Sequence, residues 1–290
     1  MVTTESPTLT IRKLDLDLSD GFARHWHSGD AFLSQFYNAL SMSFPVGEQL
    51  FIDAVRDGLT LLDAMPDTAE NTRLRHDAAQ FIGQEATHRH IHGQYNAQLE
   101  KQGLVNRWQH WATRRIDYGR KRHIKALHLL AITAGYEHCT AVFADGTLRY
   151  GSWFDTAEPR MTTLWRWHAA EETEHCALVF DLYQATGGNY AWRRRWYAYV
   201  LVLFTLDALR QTALNLWHDG TLFKPSTWWS ATKFFWGHNG MVWRCTGPLL
   251  TYFKRDFHPH HEARCVPEQQ SQALAQRWLK DNAGSYRVVR

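Results

Sequence analysis

Apolar and polar positions along this 290-residue chain recur with the three-to-four-residue period of α-helices. We find no convincing run that alternates with the period of a strand. The clearest helix is predicted from a cap at Asp67 or Thr68 to about Lys101, with Gly103 as its stop. One face of it carries Phe81, Glu85, His88, His92, Tyr95 and Leu99. The pattern therefore predicts an all-α fold in which some inward positions are polar.

Three further helices are predicted in the same part of the chain, at about 45–62, 120–144 and 159–185. Pro45 suits a first helical turn because its φ angle is fixed, and Gly187-Gly188 ends the last of the three. Trp-rich helices are expected at about 190–217 and 226–256. We predict one helical domain over residues 1–262, with the bundle at about 43–187 and covering helices at about 190–258. Residues 263–290 are expected to form a peripheral tail.

Two Glu-x-x-His steps, each on a predicted helix, carry the candidate chemistry, and a single glutamate precedes each step. A four-helix bundle that binds two metal ions in its core needs one Glu from each of two helices and a Glu-x-x-His pair from each of the others. The sequence therefore predicts a ferritin-like four-helix bundle with additional C-terminal Trp-rich helices. The six predicted ligands are Glu48, Glu85, His88, Glu137, Glu172 and His175.

The charge of this ligand set indicates which metals it would hold. Four glutamates balance two divalent cations, whereas four buried glutamates without metal would be strongly destabilising. A shell rich in carboxylates and poor in imidazoles favours iron or manganese over structural zinc. We expect two metal ions, Fe/Fe first and Mn/Fe or Mn/Mn as alternatives. The opposing interpretation is four protonated core glutamates and two core histidines.

Further polar residues lie one turn or less from these ligands. His168, four residues before Glu172, is a candidate seventh ligand, with a hydrogen-bonded core histidine as the alternative. His92 is a weaker ligand candidate and is expected mainly to orient a neighbour. Glu171 and Gln84 are expected beside the ligands, with Glu171 accepting a hydrogen bond from a bound imidazole or else facing solvent. Glu174 is expected to be exposed.

Composition narrows the function classes. The formal charge of +3 gives no reason to expect nucleic-acid binding, and four cysteines without a CxxC spacing are typical of reduced thiols. The N-terminus lacks the features of a signal peptide, so a cytoplasmic location is expected. Asp207 and Arg210 interrupt the apolar run at 196–204 before it could span a bilayer. We expect no transmembrane segment and a homodimer, and the Trp-rich helices could contact a membrane surface, a partner or the core.

Several of these segments together resemble a known family. They are Phe44-Pro45 with Glu48, the stretch Phe81–His92, Glu137-His138, Trp167–His175 and Phe257-His258-Pro259. Over residues 10–262 they are similar to a bacterial ferritin-like family catalogued as predicted metal-dependent hydrolases. The step His168-x3-Glu172-x2-His175 more distantly resembles diiron arylamine N-oxygenases of the p-aminobenzoate N-oxygenase type. Neither resemblance transfers a substrate.

The last of these segments continues into a short histidine-rich stretch. His258 is expected to fix the C-terminal segment onto the bundle, since the Phe-His-Pro triplet belongs to the resemblance. Proline disfavours helix in the residue that precedes it, so a surface loop is expected here rather than a metal site. His260 and His261 are expected to have no specific role.

Two enzymatic functions and one non-enzymatic function fit this site. The first is a non-haem diiron oxygenase or oxidase that uses O2 and an electron donor to oxidise a small apolar or aromatic substrate. The alternative is a dinuclear hydrolase that activates a metal-bridging hydroxide. Iron storage or sensing is the second alternative. The carboxylate-rich set and the aromatic residues nearby, including Tyr95 and Trp165, favour the oxygenase.

Overall fold

The computed structural model describes residues 9–154, 156–259 and 268–289. In these ranges the chain is mostly helical with very little strand, and the prediction of an all-α helical bundle is confirmed. In chain order the elements are β1 (Arg12–Leu14), α1 (Ala31–Leu62), α2 (Ala69–Lys101), α3 (Arg107–Lys121), α4 (Ala126–Arg149), α5 (Pro159–His175), α6 (Leu178–Ala185), α7 (Tyr190–His218), α8 (Pro225–Trp236), α9 (Met241–Thr251), α10 (Glu268–Asp281) and β2 (Tyr286–Val288).

Four helices form the centre of the molecule. Helix α1 packs along α2, α4 packs against α5, and α1 also contacts α4. Helices α1, α2 and α4 pass from one hydrophobic cluster to another: on α2, for example, Tyr95 belongs to the first cluster and Phe81 to the second. Helix α5 contributes to the first cluster, and α6, which follows it, contributes to the second. The predicted ligands Glu85 and His88 lie between those two positions. The bundle thus has two apolar cores with a polar layer between them.

Helix α1 begins fourteen residues before the predicted start, which was therefore wrong. Asp30 caps it, because its side chain accepts a hydrogen bond from the backbone N–H of Leu33 at 2.9 Å. Pro45 lies inside the helix, where it cannot donate to the carbonyl of Ser41 four residues earlier. The Asn96 amide of α2 donates to that carbonyl at 3.0 Å instead. A side chain from the neighbouring helix thus offsets the bond that proline removes.

Helix α2 has the predicted limits. Thr68 caps its first turn by accepting from the backbone N–H of Asn71 at 3.1 Å. At the other end Gly103 has a φ angle of +86°, which favours glycine and stops the helix. The N-cap residue, the terminating glycine and the period of apolar residues all indicate the same limits for this helix, so the sequence located it correctly.

The helix predicted at 120–144 was wrong at its start. Two helices occupy the region, because His123 has a φ angle of +52° and breaks the chain between α3 and α4. Helix α3 escaped prediction because its apolar stripe is short and Trp108 is its only buried residue. It packs on the outside of the bundle, against α1 and α7. Helix α4 then runs five residues beyond the predicted end.

The helix predicted at 159–185 is divided at Cys176–Ala177, directly after His175, into α5 and α6. The following Trp-rich region is divided as well. Helix α7 packs on α1 and α4, while α8 lies against α1 and α9 contacts α4. Among the described residues, none of the helices combines the length and apolar composition needed to cross a membrane.

The two ends of the described chain meet, which corrects two expectations. Strands β1 and β2 pair antiparallel, with Arg12 opposite Val288, although no strand was predicted. The expected peripheral tail includes α10, which packs against α5 and α4 and buries Ala275 and Leu279. Helix α2 accepts the N-terminal segment closely at Gly83, where a Cβ atom would lie 2.2 Å from the Ile11 side chain.

Candidate metal centre

The polar layer between the two apolar cores contains all six predicted ligands. Helix α1 provides Glu48, α2 provides Glu85 and His88, and α4 provides Glu137. Helix α5 provides Glu172 and His175. All six are buried. Helical periodicity accounts for this arrangement, because each ligand shares an inward face with the apolar residues one or two turns away.

Two overlapping groups of ligand atoms lie close enough together to hold a metal. The first consists of Glu85, His88, Glu172 and His175, and the second of Glu48, His88 and His168. Within each group the ligand atoms lie within 4.8 Å of one another. His88 belongs to both groups. The buried cluster can therefore hold two metal ions.

Glu137 stands outside both groups but contacts the first. Its Oε2 lies 2.9 Å from Nδ1 of His175, whose Nε2 lies 3.5 Å from Oε1 of Glu85. Two ligand atoms bound at right angles to one ion, each at about 2.1 Å, are separated by about 3 Å. The 2.9 Å between Glu137 and His175 suits either a hydrogen bond or shared coordination.

The cluster has many buried polar atoms with no hydrogen-bond partner among the described residues. Every predicted ligand contributes at least one of them. They are both carboxylate oxygens of Glu48 and of Glu85, Oε1 of Glu137, Oε2 of Glu172, Nδ1 of His88 and Nε2 of His175. Buried polar atoms normally have partners because desolvation without a replacement bond is costly. Convergent lone pairs of this kind fit metal coordination.

Without metal, burial raises the pKa of three of the four carboxylates. It raises the pKa of Glu48 and Glu85 well above the usual range, and the neighbouring carboxylates add to the effect. Burial also raises the pKa of Glu137 to about 7, although His175 beside it opposes the shift. For Glu172, His175 and His168 outweigh burial and the pKa is lowered. Positive charge placed among these oxygens would favour their ionised forms.

The imidazoles divide into two kinds. Burial lowers the pKa of His88 and of His92 well below the usual range, and neighbouring imidazoles contribute, so both rings are neutral at pH 7. Burial acts the same way on His175, but the Glu137 and Glu172 carboxylates beside it raise its pKa overall. A neutral ring keeps one lone pair for one metal, so His88, whose Nε2 contacts Glu171, can bind through Nδ1 to either group but not to both ions at once.

His168 and His92 form a chain that ends at a ligand. His168 contacts Oε1 of Glu172 through Nε2 at 2.9 Å, and its Nδ1 lies 2.7 Å from Nε2 of His92. His92 in turn contacts the Ser41 hydroxyl at 2.9 Å. His168 therefore reaches the cluster directly, whereas His92 reaches it only through His168. The assignment of His168 as a possible ligand and of His92 as a support stays a prediction.

Glu171 lies beside the predicted ligand His88 and does not face solvent. Its Oε2 lies 2.9 Å from Nε2 of His88, which leaves Nδ1 of that ring directed at the other ligands. Burial raises the pKa of Glu171 well above its usual range, although the nearby Arg12 opposes the shift. The Arg12 guanidinium donates to Glu171 at 3.2 Å.

Arg12 was missed by the sequence reasoning, and the placement of Glu174 was wrong. Glu174 was expected to be exposed, but it is largely buried and accepts from Arg12 at 2.7 and 3.0 Å. Gln84 lies further out than expected and donates to Glu174 at 3.0 Å rather than to a ligand. An isolated arginine near the N-terminus carries no local sequence signal for such a role.

An apolar pocket opens beside the cluster and has an empty volume of about 510 Å³, including its mouth. His168 and Glu172 form its polar wall. Most of the remaining lining is aromatic or aliphatic, namely Tyr37, Leu40, Phe44, Phe143, Ala144, Trp153, Trp165, Ala169, Phe204 and Met241, with Thr140 and Thr147. A small ligand in this pocket would touch the cluster at one end and hydrocarbon surface elsewhere.

The late histidine segment acts as predicted where it is described. The His258 ring lies 2.7 Å from Oδ1 of Asp181 on α6, so it fixes the C-terminal segment onto the bundle. Phe257 beside it is buried against Phe180. His260 and His261 lie outside the described residues.

A comparison with protein families identifies the chain more closely. The model of the family described as predicted metal-dependent hydrolases matches residues 10–263. The chain belongs to this family. The match extends over nearly the whole helical body and includes all six predicted ligands, so family membership and site geometry concern the same residues. No curated protein and no solved structure matches the chain.

Proposed function

We propose that the protein is a non-haem diiron oxygenase or oxidase that oxidises a small apolar or aromatic substrate. The observation that carries the proposal is the position of the carboxylate and imidazole cluster at the wall of an apolar pocket. His168 and Glu172 belong to both the cluster and the pocket lining. A substrate bound there would lie next to the metals without displacing the four-helix ligand set.

The donor chemistry supports two iron or manganese ions. Glu85, Glu172 and His175 would hold one ion and Glu48 and His168 the other, with Nδ1 of His88 available to one of the two and Glu137 beside His175. The charges of four carboxylates balance those of two divalent cations, which matters because the site is buried and unbalanced charge there is costly. Carboxylate oxygen with imidazole suits iron and manganese, whereas structural zinc prefers cysteine and histidine. The bound metals would supply O2 activation.

The chain's own residues would shape the reaction space. Glu171 holds His88 in one orientation, and His92 does the same for His168. Phe44 packs against both His92 and His168, with ring centroids 4.6 and 4.7 Å away. These aromatic contacts keep water from the imidazoles, and water exclusion protects reactive species from unproductive side reactions.

A dinuclear hydrolase remains the second candidate, because the family description favours hydrolysis. A hydrolase would polarise an ester, amide or phosphate and direct a metal-activated water at it. Such substrates bring polar groups that must be bound. Besides His168 and Glu172, the mostly apolar pocket lining offers the Thr140, Thr147 and Tyr37 hydroxyls, and that of Thr140 already donates to the carbonyl of Glu137. The lining therefore supports an apolar substrate better than a polar one.

The test compares O2 chemistry with hydrolysis in one preparation. Protein purified without a histidine tag is analysed for metals, reduced without oxygen, and mixed with O2 while absorption and O2 uptake are followed. A panel of arylamines, phenols and apolar hydrocarbons is offered as substrates, and ester and phosphate hydrolysis are assayed in parallel. Two metals per chain with O2-dependent substrate oxidation support the proposal. Hydrolysis by loaded protein that consumes no O2 would replace it.

A pocket variant sharpens this test. Ala144→Leu adds bulk to the buried pocket wall, whereas Ala198→Leu makes the same change at an exposed position on α7. We expect the Ala144 variant to retain its metals and its reaction with O2 but to lose substrate oxidation, because the small residue leaves space for substrate. The Ala198 variant should behave like the unaltered protein. Equal substrate turnover in both variants would show that the pocket is not the substrate site.

A further inference from the structure

An unusual set of large aromatic side chains is exposed around α8. We call it the Trp face, and its members are Trp217, Phe223, Trp228, Trp229, Trp236 and Trp243. Phe223 is 79% exposed, Trp243 64% and Trp229 63%. Isolated exposed hydrophobic residues are common, but large adjoining patches usually mark an interaction surface. This patch therefore needs a partner.

The members of the Trp face are contiguous. Trp228, Trp229 and Trp236 share one side of α8, since positions i, i+1 and i+8 fall within about 100° of each other on a helix. Phe223 lies just before α8 and packs on Trp217, with ring centroids 5.9 Å apart. Trp243 of α9 donates to the carbonyl of Trp236 at 3.1 Å. Two neighbouring helices and the end of a third thus present one continuous surface.

The opposite side of α8 is already packed. Its Ala231 is buried, and Phe234 contacts Phe36 of α1 with ring centroids 5.4 Å apart. Helix α8 therefore has one aromatic side that packs against the core and another that is exposed. Core packing explains the inner side but not the exposed one.

Basic residues accompany the Trp face and acids do not. Lys224, Lys233 and Arg244 occur among its members, and no Asp or Glu occurs between Asp219 and Asp256. The Lys233 ammonium lies 5.2 Å from the centroid of the Trp229 ring. Residues 220–250, which carry five of the six members of the Trp face, contain three Lys or Arg and no Asp or Glu. The part of the sequence that carries the exposed aromatic residues is therefore positively charged.

We propose that the Trp face binds the surface of an anionic lipid bilayer. Tryptophan is the residue type that favours the boundary between acyl chains and head groups, and nearby Lys and Arg attract anionic lipids. A second copy of the chain suits the face less well, because a symmetric contact would bring Lys224, Lys233 and Arg244 against the same charges. The protein would lie on the membrane through this face without crossing it.

The position of the face adds a reason for such binding that rests on the proposed function. Phe234, on the inner side of α8, contacts Tyr37 and Trp153 of the pocket lining, and Met241 of α9 lines the pocket directly. Of the helices that would touch the bilayer, α9 therefore lines the apolar pocket and α8 packs directly behind its lining. An apolar substrate dissolved in the lipid would be concentrated beside it. Binding to the bilayer itself does not depend on what the cluster catalyses.

The test measures binding of the full chain to vesicles. The vesicles are phosphatidylcholine alone, or phosphatidylcholine with phosphatidylglycerol, each at low and high salt. We expect binding only to the anionic vesicles, weakened by salt, with a factor of about five in affinity for each basic residue at the surface. Brominated lipids should quench the tryptophan fluorescence of the bound protein, because they reach only side chains inserted into the bilayer.

Two variants and a matched control make the test specific. Phe223→Ser with Trp229→Ser removes exposed aromatic surface, and Lys224→Glu with Lys233→Glu reverses charge, so both should lose vesicle binding. Tyr118→Ser with Lys121→Glu makes the same kinds of change on exposed residues of α3 and should bind normally. The proposal is overturned if unaltered protein ignores anionic vesicles, or if the Trp-face variants bind like the control. Loss of a dimer in those variants without any vesicle binding would identify a subunit interface instead.

Discussion

The metal cluster and the Trp face depart from the usual distribution of residues in opposite directions. The cluster places Glu48, Glu85 and Glu137 in the interior, and the Trp face places Trp229 and Trp243 in solvent. Folding alone favours neither arrangement, since buried carboxylates and exposed aromatic rings are both costly in water. Each would become favourable with the partner that we propose for it, metal ions in one case and lipid in the other. The comparison teaches that a binding site is easiest to find where the observed burial or exposure of side chains is unfavourable without a bound ligand or partner.

The two regions differ in how tightly the fold depends on them. The cluster lies where four helices meet, so a change in the size of one of its side chains disturbs the packing around it. The Trp face lies on the outer side of α8, so its residues can change while the inner side stays packed. Mutations should therefore separate a region coupled to stability from one coupled only to binding. The following predictions test this separation, beginning with the largest expected effect.

The largest effect is expected from Glu85→Gln. The amide keeps the shape of the side chain but removes a charge from the centre of the cluster, where both oxygens lack hydrogen-bond partners. We expect at least one metal per chain to be lost, a greater loss than the roughly 10- to 100-fold weakening that follows removal of an outer partner. Elemental analysis after dialysis measures this. Glu100→Gln, at an exposed position on the same helix, should keep both metals.

Metal removal should lower stability in a pH-dependent way. The raised pKa of Glu48 and Glu85, and that of Glu137 at about 7, mean that apo-protein holds protons which metal binding must release. The neutral rings of His88 and His92 release none. The difference in melting temperature between metal-loaded and apo-protein should therefore increase as pH rises from about 6 to about 8. Equal differences at both ends of that range would show that the carboxylates are not buried together.

The stability of the apo-protein has its own pH dependence. For Glu48, Glu85 and Glu137 the folded-state pKa exceeds the ordinary value of 4.5. Their contribution to the free energy of unfolding is fully present below pH 4.5 and is lost as pH rises through the folded-state pKa, which is about 7 for Glu137. Urea titrations of apo-protein across this window measure the loss directly.

A smaller effect should distinguish His168 from His92. His168→Ala removes the ring that contacts Glu172 and should weaken one metal selectively while the other is retained. His92→Ala removes a support for His168 and should leave both metals bound at saturating supply, with affinity lower by about 10- to 100-fold. Metal titration with spectroscopic detection separates the two cases. If the His92 variant loses a metal while the His168 variant keeps two, the extra imidazole has been assigned to the wrong helix.

The smallest effect is expected at the Trp face. Trp229→Ala should change the free energy of unfolding by no more than about 0.5 kcal/mol in the absence of lipid, because the ring is largely exposed. Trp167→Ala, the same substitution at a fully buried ring beside His88, should cost about 3–5 kcal/mol. Chemical denaturation of both variants gives the contrast. A large cost at Trp229 would mean that the exposed ring supports the fold.

The sequence predicted the centre of the molecule better than its edges. Glu85 and His88 could be located because ligand spacing and apolar period repeat over the length of α2, so many residues agree on one face. The limits of α1 and α4 could not, because they depend on contacts with residues distant in sequence. Pro45 looks like a helix start unless one knows that Asn96 replaces the missing hydrogen bond. His123 shows no sequence feature that demands a positive φ angle.

The residues that contact the predicted ligands from outside the cluster likewise divide into those that the sequence could predict and those that it could not. Glu171 could be predicted, because its angle on α5 relative to Glu172 places it beside a neighbouring ring. Arg12 could not, because it arrives from a strand that forms only when the two ends of the described chain pair. Glu174 looked solvent-facing by helical periodicity alone and is buried because that arginine reaches it. Helical periodicity determines the direction in which a side chain leaves the helix, whereas its burial depends on which other segment packs against that side of the helix.

The pairing of β1 with β2 has a consequence for the order of assembly. About 270 residues separate the strands, and closing a flexible loop of that length would cost about 5 kcal/mol in entropy. The pair should therefore form after the helices have brought its two strands together. During synthesis Arg12 leaves the ribosome long before Tyr286, which lies in the partner strand of β1. Arg12 is therefore fixed beside Glu171 and Glu174 only late in folding. Pulse-labelled hydrogen exchange during refolding should show protection in α2 and α5 before β1. The pairing of β1 with β2 would then be a late folding step that fixes Arg12 beside a cluster whose helices are already packed.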